Sequence, residues 1–108
     1  MSPAERWLRA RVSGAPPELL DAMAAALPAE DGGPLPEALA AGALRLYEGV
    51  LHGTGGREDA LPLLAADALM THALEAQAEA DPDALEEFAV RWGAAGELGR
   101  LAERAAPP

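Results

Sequence analysis

Apolar residues recur along this chain at spacings of three and four, the period of a helix that buries one side, in five stretches separated by glycine and proline. The longest covers residues 59–80. There Leu63, Ala66, Leu69, Met70, Ala73 and Leu74 share one half of a helical wheel, with Gln77 as a polar residue among them. The opposite half carries Asp67, Thr71, His72, Glu75 and Glu79, yet also Leu61, Leu64, Ala68 and Ala78. A helix that is apolar on more than one side needs neighbours on more than one side, so this segment is predicted to be the centre of a bundle. Asp59 is its predicted cap, and Pro62 falls in the first turn, where a missing N–H costs nothing.

Ser2-Pro3-Ala4-Glu5 has the form of a capping box with proline at the first helical position, and predicts a helix over 3–12 that presents Trp7, Leu8 and Val12 on one side. Leu19, Leu20, Met23, Ala24 and Leu27 mark a second helix over 17–27, closed by Pro28 and a turn at 29–34. Leu39, Ala43, Leu46, Tyr47 and Val50 predict a third over 36–51. The glycine-rich residues after it cannot stay helical at about 1 kcal/mol per glycine, so 52–56 should join two antiparallel helices. Asp81 and Pro82 supply a cap and a first residue for a fifth helix over 82–103, with Leu85, Phe88, Ala89, Trp92, Ala95 and Gly96 as its packing face. Gly93, Gly96 and Gly99 are costly inside such a helix. They fit the close approach of another helix backbone, including across a dimer interface shared with Trp92, or else a break or a ligand-facing surface.

Composition supports one all-α domain over residues 1–108, a single-domain bundle of about five helices. Half of the residues are hydrophobic, but only 4% are aromatic, so the core must come from small side chains on closely spaced helices. Isoleucine is absent and valine scarce, which removes the runs that strands need. The net charge of −10 arises from 18 acidic residues against 8 arginines scattered along the chain, which argues against nucleic acid or an anionic membrane as partner. No run approaches the length of a membrane span, and the N-terminus lacks the apolar stretch of a signal peptide, so a cytoplasmic protein is expected. Without cysteine there is no disulfide and no thiolate metal site.

Candidate chemistry is sparse. His72, Glu75 and Glu79 lie on one stripe and could in principle hold a divalent ion, although such a trio is more often a solvated face. His52 suits the negative end of a helix. The segment from His52 to Arg57 is glycine-rich and precedes a helix, a weak phosphate-loop signal without the usual lysine and with a helix, not a strand, before it. Paired carboxylates at Glu30-Asp31, Glu58-Asp59, Asp81 with Asp83, and Glu86-Glu87 each have a local explanation in loop solubility, helix starts or an exposed face. Asp67 stands among Leu63, Leu64 and Met70 and should need a donor: the Thr71 hydroxyl, a tryptophan, or an arginine of a neighbouring helix. A structural bond is favoured there over catalysis, which would require a second titratable partner. The candidate ligand-binding residues are therefore His52, Arg57, Asp67 and His72, and no catalytic residue, metal ligand or cofactor is assigned.

The order of segments resembles the N-terminal part of the all-trans polyprenyl (isoprenoid) diphosphate synthases. The resemblance rests on Ala22 to Leu27, on Ala43-Leu44-Arg45-Leu46-Tyr47-Glu48-Gly49-Val50-Leu51-His52, on Leu64-Ala65-Ala66-Asp67-Ala68-Leu69-Met70-Thr71-His72-Ala73-Leu74-Glu75, and on Arg91-Trp92-Gly93-Ala94-Ala95-Gly96. It spans about residues 15–100, and the segment around Asp67 is its most specific part. Gly53-Thr54 stands where the family carries its first aspartate-rich motif, and Ser13-Gly14-Ala15-Pro16 replaces its upstream diphosphate-binding sequence. The family's second aspartate-rich motif would lie beyond residue 108. Since prenyl transfer uses several carboxylates to hold magnesium against a diphosphate, the resemblance implies a synthase-like bundle without the reaction. It implies action by association, as a homodimer or an accessory subunit of a prenyl diphosphate synthase. The alternative is a small ligand-binding or enzymatic bundle, with a diphosphate or metal site near Arg57 and His72 in a groove between the third and central helices.

Overall fold

The computed structural model of the protein describes residues 1–29 and 33–107; the acidic pair Glu30-Asp31 and the centre of the turn at 29–34 lie outside the described residues. Every regular element described is helical: α1 (Pro3–Arg11), α2 (Pro17–Ala26), α3 (Leu35–Leu51), α4 (Ala60–Ala80), α5 (Leu85–Trp92) and α6 (Glu97–Ala105). Short 3₁₀ turns at Arg57–Asp59 and Pro82–Ala84 lead into α4 and α5. None of the described helices is long and apolar enough to cross a membrane.

The helix starts follow from local chemistry. Ser2 Oγ accepts the Glu5 N–H at 3.1 Å, the first half of the capping box. The second half is not made, because the Glu5 carboxylate turns forward to Arg9 Nε at 2.9 Å. α2 and α3 have no side-chain cap. Prolines 16, 17, 34 and 36 stand there instead, removing N–H groups that would otherwise need acceptors. Asp81 caps as expected, its Oδ1 accepting from the Asp83 N–H. Asp59 holds the capping position of α4 but makes no capping bond.

α3 and α4 form the most extensive contact in the molecule, and α4 also packs against α2 and α5. The central place assigned to residues 59–80 is thus what the fold shows. Gly42 of α3 lies opposite Leu69 of α4, and Tyr47 opposite Asp67, so the two helices run antiparallel. The core joins Leu8, Met23, Leu39 and Leu69, one from each of the first four helices, with alanines 40, 43, 65 and 73 closing the gaps. A Cβ on Gly42 would stand 3.2 Å from Leu69 Cδ1 and 3.3 Å from the Ala26 carbonyl oxygen, so the missing side chain lets α2 and α3 cross closely. Gln77, the polar residue on the apolar half, is 8% exposed and donates from Nε2 to the Asp81 carbonyl at 3.1 Å, capping the end of its own helix.

Two expectations are corrected. Residues 82–103 are not one helix: α5 ends at Trp92 and α6 starts at Glu97. Gly96 between them and Gly99 in the first turn of α6 close on their own chain, since a Cβ on Gly96 would overlap the Arg91 carbonyl oxygen and one on Gly99 that of Ala94. Gly96 and Gly99 donate their N–H groups to the Gly93 carbonyl at 3.0 and 3.2 Å, which folds the elbow and lets α6 pack on α3. Leu63, placed with the core half of α4, is open to solvent, as are Leu61 and Leu64.

Candidate functional site

The sequence-predicted site residues fall into separate places along α3 and α4. Asp67 is exposed rather than buried, and its partner is none of those expected. Tyr47 of α3 donates its hydroxyl to Asp67 Oδ1 at 2.5 Å, while the Thr71 hydroxyl donates to the backbone carbonyl of Asp67, one turn back along the same helix. Burial, then the hydrogen bond to the Asp67 carboxylate and its charge, push the Tyr47 phenol well above its ordinary range. This pair ties two helices together, and among the described residues no group of three metal-ligating side chains forms around it.

His72 lies five residues further on, about 140° around the helix from Asp67, and faces α1. Its Nδ1 is 3.1 Å from Glu75 Oε2, and its ring meets the edge of Trp7 at a centroid distance of 6.3 Å. Arg11 completes the cluster: its guanidinium lies 4.9 Å from the Trp7 ring centre, pairs with Glu79, and approaches Glu75 at 3.9 Å. The acidic stripe considered as a metal ladder therefore has a cation of its own chain across it, and no group of three metal-ligating side chains gathers among the described residues.

The glycine-rich loop is likewise closed by an internal anion. The Gly55 N–H donates to Asp59 Oδ2 at 2.8 Å, and Gly55 takes the positive φ of 77° that this turn requires. Either oxygen of Asp59 would lie 2.5 Å from a Cβ on Gly53, so the carboxylate sits where a bound phosphate would have to go. Thr54 donates its hydroxyl to Glu58, which holds the Glu58 carboxyl below its usual range. The Arg57 side chain is exposed, with no hydrogen-bond partner among the described residues. His52 ends α3, as expected, and points Nδ1 at the Glu48 carbonyl, 2.9 Å away, so that nitrogen carries the proton and the ring caps the helix. From Arg57 to His72 is more than three helical turns, and the structure does not bring His52, Arg57, Asp67 and His72 together.

The feature missed in the sequence is a cavity on the other side of α3. About 520 Å³ in volume, it lies between the start of α1, the first turns of α3 and the end of α5. Trp7, Leu35, Ala38, Ala41 and Trp92 give it mainly apolar walls, with Glu37 and Arg91 as its charged members. Trp92 is 9% exposed, lies 6.2 Å from the Phe88 ring, and carries the Arg91 guanidinium 5.1 Å from its own ring centre. The Trp92 Nε1 and the Glu37 Oε2 are both closed off from water and have no hydrogen-bond partner among the described residues. Two alanines a turn apart beside a glutamate, in a chain with only two tryptophans, were the available signal. It could not be read without knowing that both tryptophans converge on that turn. A shallower concavity beside it passes Arg45, Glu48 and His52.

Comparison with protein-family models, with curated proteins and with solved structures finds no match to this chain.

Proposed function

We propose that the protein acts by association, as a non-catalytic helical bundle of the cytoplasm whose working surface is the leucine-rich tip of the α3–α4 hairpin. The observation that supports this reading is the exposure of Leu51, Leu61, Leu63 and Leu64, at 45%, 40%, 42% and 55%. All four stand at the end of α3 or the start of α4, on either side of one short connection. Scattered apolar residues are ordinary on a surface, but a group of leucines at one end of a bundle is costly in water and suits a helical partner. A second copy of the chain is the simplest occupant. A catalytic prenyl diphosphate synthase subunit is the partner that the resemblance implies. In either case the tip replaces the Trp92 and glycine region as the contact surface, because Trp92 and Gly96 are buried by their own chain.

Sedimentation equilibrium tests the reading. The wild type is expected to self-associate at micromolar concentration, and Leu64→Glu to be monomeric with unchanged helicity. A wild type that stays monomeric and does not bind a purified synthase subunit overturns it.

A further inference from the structure

We infer that the cavity between α1, α3 and α5 is a binding site for a small organic cation with an apolar body, its ammonium group held by Glu37. The volume of about 520 Å³ lies within the range of small-molecule sites, and the walls are apolar, with Trp7 and Trp92 as the large surfaces. A molecule seated there removes hydrocarbon from water on both sides of the contact.

The head group follows from the two charged side chains at the cavity. Glu37 is part-exposed at the cavity wall, its Oε2 is closed off from water without a hydrogen-bond partner, and the carboxylate has no ion-pair partner among the described residues, so an ammonium on its open oxygen supplies the countercharge this group lacks. Arg91, by contrast, is solvent-exposed and already stacked on Trp92, and it makes no ion pair with Glu37. The net charge of −10 acts in the same direction, raising the local concentration of cations and lowering that of anions. A carboxylate-headed ligand would need Arg91 to leave the tryptophan and would meet Glu37 as a like charge.

Octylamine, octanol and octanoate serve as matched probes, read through the fluorescence of Trp7 and Trp92, the two tryptophans of the protein and both part of the cavity wall. Octylamine is expected to give a saturable change, with octanol weaker and octanoate weakest. Glu37→Gln should weaken octylamine about tenfold and leave octanol unchanged, the size expected for losing one charged hydrogen bond. Ala41→Phe, which fills the cavity and keeps Glu37, should abolish both, with circular dichroism confirming that each variant is folded. If Glu37→Gln does not fold, Ala41→Phe and the ranking of the three probes decide alone. The inference is overturned if octanoate binds as tightly as octylamine, if octylamine ignores either folded variant, or if it fails to saturate.

Discussion

Tyr47 and Asp67, twenty positions apart, meet at 2.5 Å between phenol hydroxyl and carboxylate oxygen and fasten α3 to α4. Tyr47 is the only tyrosine of the chain, so its ionisation can be followed directly by phenolate absorbance. The midpoint should lie above the ordinary value of 10.0, because burial disfavours the phenolate, and ionising would also break the hydrogen bond to Asp67 and set a second negative charge beside it. For a group whose folded pKa is raised, the stabilisation is complete below the unfolded value. It declines as pH rises from about 10 toward the folded value. Tyr47→Phe should lose about 1 kcal/mol at neutral pH and lack this alkaline decline in urea titrations. Asp67→Asn should bring the phenol midpoint down only in part, since burial is the larger cause.

Arg11 stands over Trp7 and between the carboxylates of Glu75 and Glu79, so α1 is pinned to α4 by one exposed side chain. Arg11→Ala is expected to cost about 1 kcal/mol, combining a cation–π contact with surface ion pairs. Arg11→Met, which keeps the stem over the ring, should cost less. High salt should narrow the gap between wild type and Arg11→Met, because screening weakens the ion pairs and not the packing. Urea midpoints at low and high salt check both statements.

The glycines respond in opposite directions to an added methyl group. Gly49 lies inside α3 with nothing within 4 Å of the position of a Cβ, so Gly49→Ala should stabilise by about 1 kcal/mol through helix propensity alone. Gly96 has the Arg91 carbonyl oxygen in that position. Gly96→Ala should destabilise by about 2 kcal/mol or more by forcing the elbow between α5 and α6 open. Thermal melts rank the two variants. Equal effects would mean that the elbow is not the tight turn described here.

Hydrophobic periodicity, with composition and the cap, proline and glycine signals, determined that this chain is helical, placed four of its helices to within about two residues, and put the segment from 59 to 80 at the centre. Those features depend on short-range spacing, which one chain displays in full. The cap at Ser2, the turn at Asp81-Pro82 and the place of His52 at a helix end were legible for the same reason: each acts on backbone groups within a few residues of itself. Tertiary structure decided the rest. Asp67 was read from neighbours in sequence as buried, but the groups that set its environment are Tyr47 and the solvent beside α3. Gly93, Gly96 and Gly99 fit either a packed helix or a break, and only the path of α6 back to α3 chose the break. The cavity joins the start of the chain, its middle and the end of α5, and no local pattern encodes a space enclosed by three segments so far apart. Hydrophobic spacing tells which side of a helix avoids water; which other helix covers that side, and where none does, as at Leu61, Leu63 and Leu64, is settled by how the helices pack together.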